Sequence, residues 1–427
     1  MKKRGLLSAL IAAAVISLSS CSALTSDLTG MLTPPTLSSG REALTRAIRA
    51  AVGESYELVY PQAGSYRTGI ISVDLTGNGQ TEAVCFYKPT ATGGKLSFLV
   101  MENRAGEWVQ LAKGESDAAS VGRVAFGDIN GDGMGEIIVG WQYLTDSDGS
   151  YDIYALEGGR AVSKYTGLYT RFTLLEEDDY CALVVMSRNA VTKSVTASLV
   201  ALHGGAIGLV NTVAMNSRSA SYLSVTAGRT TAGRPAVYVD EQLEGGQCAT
   251  EVLVIGEQGR LTNELLTQQS AATIRVTPVY CQDVNHDGIP EIPLEEALPA
   301  YTRKGVEENL YLIHWNAFDG QQLNPVSHAF VDTTEQFSLS YPEDWYGKVT
   351  VERSADNNRS FLFKSMEGEL LFTIRVYGLS EYSEALGREG WRKLYSDSDH
   401  IYTVYCEPEN SLNIGYTKVY SLFNVIS

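Results

Sequence analysis

The chain has 427 residues, of which 44% are hydrophobic and only 19% are charged, and it contains 24 tyrosines. This composition excludes an intrinsically disordered chain, and the length is sufficient for two or three domains with substantial cores. With 33 Lys and Arg against 50 Asp and Glu, the net charge is −17. Because such a surface repels polyanions, we expect no nucleic-acid partner.

Residues 1–20 have the pattern of a secretory signal peptide: a basic start, a mostly apolar stretch over 6–18 and small residues at the end. The stretch is too short to span a bilayer comfortably. The sequence Leu18-Ser19-Ser20-Cys21 that closes it resembles the lipobox of bacterial lipoproteins. The resemblance implies that diacylglycerol is attached to Cys21 and that the protein is anchored in the bacterial cell envelope, facing the extracytoplasmic side. An ordinary cleaved signal followed by a chance cysteine is the alternative.

The segment 21–38 is rich in Ser, Thr and Pro, which predicts an extended tether rather than a core. A helix and a lead-in segment are predicted over 39–65. Ser39 and Glu42 have the spacing of a capping box, apolar residues follow at helical spacing, and Gly53 is a plausible end of the helix.

The middle of the chain, 66–331, consists of five similar units of about 50 residues. Each unit contains a strand–turn–strand followed by a hairpin with glycine in its turn. The turn glycines are Gly106, Gly159, Gly205, Gly259 and Gly320. Four strands per unit, repeated five times, predict a mainly β fold with a β-propeller of about five four-stranded blades. A pair of β-sandwiches is the competing interpretation, and flanking strands leave room for a sixth blade.

Three of the five first turns carry an acidic pattern that suits a hard cation. Oxygen ligands at positions 1, 3, 5 and 9, a carbonyl at position 7 and a glycine at position 6 are what calcium requires of a tight loop. The predicted ligands are Asp128, Asn130, Asp132, Met134 and Glu136 in the best copy, Asp283, Asn285, Asp287, Ile289 and Glu291 in the next, and Asp74, Thr76, Asn78, Gln80 and Glu82 in a weaker third. Turns that bind no ion are the alternative.

The loops lack the glutamate at position 12 that an EF-hand needs, and strands rather than helices flank them. An acidic loop of this kind inside a β-hairpin resembles the FG-GAP/VCBS repeats of integrin-type propellers. The resemblance implies propeller blades stabilised by calcium at these loops. The third and fourth units, which have Glu177 and Arg229 at the corresponding turns, lack the pattern and are expected to hold no ion.

The last segment, 332–427, alternates predicted strands with a helix over 380–394 and ends in a strand over 416–425, which predicts a small α+β domain. Among its aromatic residues, Trp345 and Tyr346 are candidates either for the core or for a ligand groove. Apart from Cys21, the cysteines number five, and most lie in or beside apolar strands, so free buried thiols are expected, with one disulfide left open.

No catalytic signature is present, and the five histidines are scattered along the chain without a metal-binding spacing. The sequence therefore favours a binding or interaction protein, with an extracellular protein or a glycan as its partner and a membrane as its support. The alternative is an extracellular hydrolase or lyase that acts on glycan or peptide with residues drawn from several blades. A structural envelope component is a third possibility.

Overall fold

A computed structural model describes residues 39–90, 94–144, 149–177, 180–189, 191–265, 271–298, 310–382 and 390–426. The predicted signal peptide, the tether and Cys21 lie outside this part of the chain. Neither of the two helices described below is long and apolar enough to cross a bilayer.

The first helix, α1 (Ser39–Val52), occupies the segment with the capping-box spacing, and its last turn is closed by Gly53, whose backbone N–H donates to the carbonyl of Arg49. Gly53 has a φ of +95°, a conformation that glycine adopts without strain. Leu44 and Ile48 bury one face of α1 against the first sheet.

The first three sheets are antiparallel and follow one another along the chain. The first sheet contains β1 (Tyr56–Leu58), β2 (Ile70–Val73), β3 (Glu82–Pro89), β4 (Leu96–Arg104) and β5 (Glu107–Ser116). The second contains β6 (Ser120–Gly127), β7 (Glu136–Gln142), β8 (Gly149–Glu157) and β9 (Arg160–Tyr169). The third contains β10 (Arg171–Glu177), β11 (Tyr180–Arg188), β12 (Val195–His203) and β13 (Ala206–Ala214).

The remaining three sheets continue the same order, with two departures near the C-terminus: the last strand of the chain joins the fifth sheet, and the last two strands of the sixth sheet are swapped relative to their chain order. The fourth contains β14 (Ser219–Arg229), β15 (Pro235–Leu243), β16 (Cys248–Ile255) and β17 (Leu261–Asn263). The fifth contains β18 (Ile292–Ala297), β19 (Tyr311–Phe318), β20 (Leu323–Asp332), β21 (Phe337–Tyr341) and β27 (Phe423–Val425). The sixth contains β22 (Val349–Arg353), β23 (Ser360–Ser365), β24 (Leu370–Gly378), β25 (Arg392–Ser396) and β26 (His400–Cys406).

Each sheet buries its faces against its neighbours in the series. In β7, Ile137 and Val139 pack towards the first sheet, whereas the intervening Ile138 packs towards the third. Separate apolar clusters join the third sheet to the fourth, the fourth to the fifth and the fifth to the sixth. Because successive side chains of a strand point to opposite faces, a sheet covered on both faces has strands that are buried along their length. β7 is buried from Glu136 to Trp141, and β16 is buried throughout, although it includes the polar residues Thr250 and Glu251.

This arrangement confirms the predicted fold class, a mainly β chain of propeller-type blades. The five hairpin glycines all lie in turns between antiparallel strands and have φ between +66° and +100°. The five cysteines of the described residues are free thiols, as expected.

The C-terminal segment differs from the sequence prediction at two places. Of the predicted helix over 380–394, residues 383–389 lie outside the described part of the chain, and the end of the segment forms β25 (Arg392–Ser396), because its backbone pairs with β26. Within the predicted strand over 416–425, Tyr416–Leu422 forms the second helix, α2, and only the last residues form a strand. Val419 is buried in the core and Tyr416 and Leu422 pack against it, which docks this short helix although its β-branched and aromatic composition favours a strand.

The fifth unit also departs from the expected strand–turn–strand over 275–294. Its first strand is reduced to isolated bridges, one of which pairs Arg275 with Cys248 of β16. The Arg275 side chain is fully buried and forms an ion pair with Asp240 of β15, at 2.7 Å between Nη2 and Oδ1. Further hydrogen bonds run from the guanidinium to Thr250 Oγ1 and to the Val279 carbonyl. These bonds hold the irregular segment 273–281 against the fourth sheet.

Replacing Arg275 with Gln is expected to lower the free energy of unfolding by about 3–5 kcal/mol, because Asp240 is then left buried without a counter-charge. Urea denaturation followed by circular dichroism measures the loss. Glu115→Gln, which removes one partner of an exposed ion pair with Lys95, is the matched control and should leave the transition unchanged. Equal free energies of unfolding for the two variants would contradict the role given to the buried pair.

Candidate functional site

The three acidic loops share one backbone geometry. In each, Oδ2 of the first aspartate accepts a hydrogen bond of 2.8–2.9 Å from the backbone N–H of the glycine at position 6, and this glycine has a φ between +80° and +86°. The pairs are Asp74 with Gly79, Asp128 with Gly133, and Asp283 with Gly288. The glycine at position 6 is therefore required by the turn, as the sequence pattern predicts.

The glutamate at position 9 is buried in every loop. Oε2 of Glu82, Glu136 and Glu291 accepts a hydrogen bond from the backbone N–H at position 2. In the first two loops, the second oxygen is also satisfied, by Thr76 Oγ1 and by the Asn130 amide. In the third loop in chain order, which begins at Asp283 and is called the third loop below, Oε1 of Glu291 is buried and has no hydrogen-bond partner.

Carboxylates converge in the third loop. Ligand oxygens of Asp283, Asp287 and Glu291 lie within 4.8 Å of one another, and within the described ranges no other group of three or more acidic, histidine or cysteine side chains does so. The loop that best fits the sequence pattern, at Asp128, is therefore not the one in which three carboxylates meet. Its Asn130 amide donates to Glu136 instead.

Asx turns recur in all three loops. At position 3, the side-chain oxygens of Asn130 and Asn285 accept a hydrogen bond from the backbone N–H two residues later, at 2.8 and 3.0 Å, and in the Asp74 loop Asn78 does the same from position 5, at 2.7 Å. Such Asx turns form without a cation. The carbonyl ligands predicted at Gln80, Met134 and Ile289 stay predictions.

Burial makes two of the position-9 carboxylates, those of Glu136 and Glu291, difficult to ionise. It raises the pKa of Glu136 to about 7, although the backbone N–H groups of Ile129 and Asn130 act in the opposite direction. Burial also raises the pKa of Glu291, with a further contribution from the negative charges of Asp287 and Asp283. At the third loop, a bound cation would offset both the burial of the Glu291 carboxylate and its repulsion by Asp283 and Asp287, because all three carboxylates converge there.

A cavity of about 770 Å³ lies between the fifth sheet and the segment 278–284, with Asp283 on its wall. This volume falls within the range of small-ligand sites. Two aromatic residues, Tyr280 and Trp315, share the lining with hydroxyl and amide side chains. The polar lining residues are Ser224, Gln282, Ser327, Thr333, Gln336, Ser338, Ser340 and Asn424. The cavity is thus largely uncharged, although the protein is strongly acidic.

His286 at the cavity wall has a φ of +64°. The corresponding residues of the other two loops are Gly77 and Gly131, which have the same left-handed conformation at φ of +66° and +74°. A side chain in this conformation carries a cost of about 1 kcal/mol or more, and such strain concentrates at functional sites. The strained histidine therefore favours a functional role for this wall.

Sequence reasoning missed a cluster of side chains on the face of the fifth sheet opposite Trp315 and the cavity. His314 of β19 and His328 of β20 face each other across the fifth sheet, and Glu296 and Tyr346 complete the cluster. A signal for it was present: a hairpin turning at Gly320 brings residues on either side of the turn into register. The candidate Tyr346 is 46% exposed and stacks on His328, whereas Trp345 is buried in the core.

A pair of buried glutamates on the fourth sheet was also missed. Glu241 and Glu251 lie on neighbouring strands, and both are almost fully buried. Burial, followed by the charge of Glu251, raises the pKa of Glu241 to about 8. Burial also raises the pKa of Glu251, against hydrogen bonds from Asn263 and Asn216. The pair therefore holds a proton at neutral pH.

Comparisons with known proteins show no relative of this chain. No family model matches it. No curated protein matches it either. Among solved structures, a putative 6-phosphogluconolactonase from Bacteroides uniformis is 13% identical over 67% of this chain and 80% of its own, with a TM-score of 0.30. The structure described as the Dos1 propeller is 11% identical over 73% of this chain and 79% of its own, with a TM-score of 0.31.

An exo-beta-1,3-galactanase from Phanerochaete chrysosporium is 10% identical over 75% of this chain and 79% of its own, with a TM-score of 0.29. These scores are too low for any of the three structures to bear on fold or function. The fold assignment rests on the order, pairing and stacking of the sheets.

Glu241→Gln is expected to change how stability depends on pH. The ordinary pKa of glutamate is near 4.5 and the folded-state pKa of Glu241 is about 8, so the native state holds a proton between these values that the unfolded chain releases. Wild-type stability should consequently fall as pH rises through this window. The neutral glutamine removes this fall, so the variant should match the wild type near pH 4.5 and exceed it at pH 8.

Urea denaturation at both pH values, in the presence of EDTA, measures the effect. Glu257→Gln, at an exposed hairpin turn, is the control and should retain the wild-type pH dependence. A Glu241→Gln variant with the wild-type dependence would show that the pair is not protonated in the native state.

Proposed function

We propose that the chain is a lipid-anchored binding protein of the bacterial envelope, in which calcium at the Asp283 loop fixes one wall of the cavity and a glycan occupies the cavity. The observation that carries the proposal is the convergence of Asp283, Asp287 and Glu291 at the cavity wall, together with a buried Glu291 oxygen that lacks a donor. An unpaired buried carboxylate oxygen is costly, and a cation is the partner that this set of ligands suits.

Calcium fits these ligands better than other common metals. The available atoms are carboxylate, amide and backbone oxygens, which suit hard cations, and the loop itself offers several flexible ligands, which suits calcium rather than magnesium. With three carboxylates in an exposed turn, a dissociation constant of about 10⁻⁴–10⁻³ M is expected, the range of extracellular calcium modules. The likeness of the loops to FG-GAP/VCBS repeats supports the same assignment.

The Asp128 and Asp74 loops are proposed as weaker sites or none. Their buried glutamates are already satisfied by neighbours in the loop, so a cation would have to displace existing hydrogen bonds. The sequence pattern alone does not separate the Asp128 loop from the Asp283 loop, because both have aspartate at positions 1 and 5, glycine at position 6 and glutamate at position 9, whereas the Asp74 loop has Asn78 at position 5.

A neutral, polyhydroxylated ligand suits the cavity. Tyr280 and Trp315 offer aromatic faces to the apolar faces of sugar rings, and the hydroxyl and amide side chains can both donate and accept hydrogen bonds. Among the described lining residues, the carboxylate and imidazole side chains are those of Asp283, His286 and His328, and none is Lys or Arg. A charged ligand would therefore find few partners of opposite charge.

The extracytoplasmic location is supported by the sequence of residues 1–21, with Cys21 as the lipidated residue and 21–38 as the tether. This location provides millimolar calcium and glycans of the cell surface as surroundings for the site. A chain anchored in this way presents its cavity outside the membrane.

Calcium at about 10 mM is expected to raise the Tm of the wild type by roughly 2–3 °C, and EDTA should reverse the rise. Asp287→Asn should abolish most of this shift, because it removes one charge while retaining an oxygen that accepts the Ile289 N–H. Asp132→Asn is the matched change in the second loop and should retain most of the shift. A shift that is lost in Asp132→Asn and kept in Asp287→Asn would refute the assignment to the third loop.

Tyr280→Ala is expected to weaken glycan binding at least tenfold without altering the Tm, because Tyr280 is only partly buried at the cavity wall. Binding of the wild type to an array of neutral oligosaccharides, in the presence of calcium, identifies the oligosaccharide to use. Calorimetry with that oligosaccharide then compares the dissociation constants of the wild type and the variants. Tyr60→Ala, at an exposed tyrosine that does not line the cavity, is the control. Absence of binding to every neutral oligosaccharide, or cleavage of the bound one, would contradict a binding function.

A further inference from the structure

The cluster formed by Glu296, His314, His328 and Tyr346 is separate from the calcium loop and has its own geometry. His314 and His328 are directly opposite on the antiparallel strands β19 and β20. Their Nδ1 atoms are 2.7 Å apart, and their ring planes are nearly perpendicular, at 82°. Two ring nitrogens therefore face one point from two sides.

Both rings are held in place by their neighbours. Nε2 of His314 is 2.8 Å from Oε2 of Glu296, and the same carboxylate oxygen accepts the hydroxyl of Tyr346 at 3.1 Å. The ring of His328 stacks on Tyr346, with centroids 4.8 Å apart and an interplanar angle of 14°. A large rotation of either ring would break these contacts.

The hydrogen bond to Glu296 determines which nitrogen of His314 carries the proton. A carboxylate accepts from Nε2–H, so the Nδ1 atom of a neutral His314 presents a lone pair towards His328. Metal-binding histidines characteristically have this arrangement, in which the distal ring nitrogen donates to a carboxylate.

We propose that His314 and His328 form a binding site for a divalent transition metal ion of the zinc, copper or nickel class, with Glu296 as the residue that orients His314. Imidazole nitrogen is a preferred ligand of these ions. Zinc bound to two imidazoles at about 2.0–2.1 Å in tetrahedral geometry separates the nitrogens by about 3.3 Å. The present separation of 2.7 Å needs to widen by only about 0.6 Å, which small side-chain rotations provide.

The two remaining coordination positions are left for water or for a ligand. Because side chains alternate along a strand, the two imidazoles lie on the face of the fifth sheet opposite Trp315 and the 770 Å³ cavity, so a ligand would reach the metal from the side of Glu296 and Tyr346. The carboxylate of Glu296 supplies negative charge beside the ion, and its 58% exposed side chain leaves the cluster accessible from solvent. The site does not depend on calcium or on the identity of the cavity ligand.

Zinc binding to the full chain, purified in detergent without a histidine tag and kept in saturating calcium, tests the proposal by calorimetry. One saturable zinc ion per chain is expected. His314→Gln and His328→Gln should each abolish it, and Glu296→Gln should weaken it about 10–100-fold. His203→Gln, at an exposed histidine of another hairpin, is the matched control and should leave binding unchanged.

Copper(II) provides an independent readout, because its electron paramagnetic resonance spectrum should show coupling to two nitrogens in the wild type and to fewer in either histidine variant. The Tm of each variant without metal establishes that it is folded. If His314→Gln or His328→Gln fails to fold, Glu296→Gln and the copper spectrum of the wild type still decide the question. No saturable zinc, binding unaffected by the cluster variants, or a wild-type copper spectrum without nitrogen coupling would overturn the proposal.

Discussion

The buried ion pair between Asp240 and Arg275 is the interaction on which the candidate site depends. Asp240 also accepts from the Cys281 backbone N–H and from Thr250, so one carboxylate joins the fourth sheet to both ends of the segment 275–281. That segment has almost no strand pairing of its own, yet it forms the cavity wall and leads directly into the Asp283 loop. The Asp74 and Asp128 loops are positioned by the backbone hydrogen bonds of the strands that they connect. The Asp283 loop is positioned by the buried Asp240 carboxylate, whose desolvation cost only complete hydrogen bonding offsets.

The fifth unit differs from the others for a consistent physical reason. Apolar clusters join sheets one to four in sequential order. In the fifth unit, loss of the first strand opens one face of the sheet, and the cavity occupies the opened face beside Ile313 and Trp315. The same sheet takes β27 from the end of the chain, and its opposite face shares a core with the sixth sheet. The functional features therefore gather where the repeat is least regular.

Much of the fold was predictable because it follows from periodicity and turn chemistry. The five glycine turns, the helix over Ser39–Val52 and the mainly β architecture follow from spacing alone. The short helix over Tyr416–Leu422 and the strand over Arg392–Ser396 were not predictable, because tertiary docking overrides their composition. In the site, sequence identified three acidic loops but ranked the Asp128 loop above the Asp283 loop. The deciding difference, whether the buried glutamate finds a donor inside its own loop, depends on side-chain rotamers that no spacing encodes.

Hydrogen–deuterium exchange of an Asp240→Asn variant tests most directly whether the buried pair holds the cavity wall. Loss of the charge should release the segment 274–291, so that its amides exchange faster than in the wild type, while amides of the first three sheets keep their protection. Unchanged exchange in 274–291, or a uniform increase along the whole chain, would contradict the account.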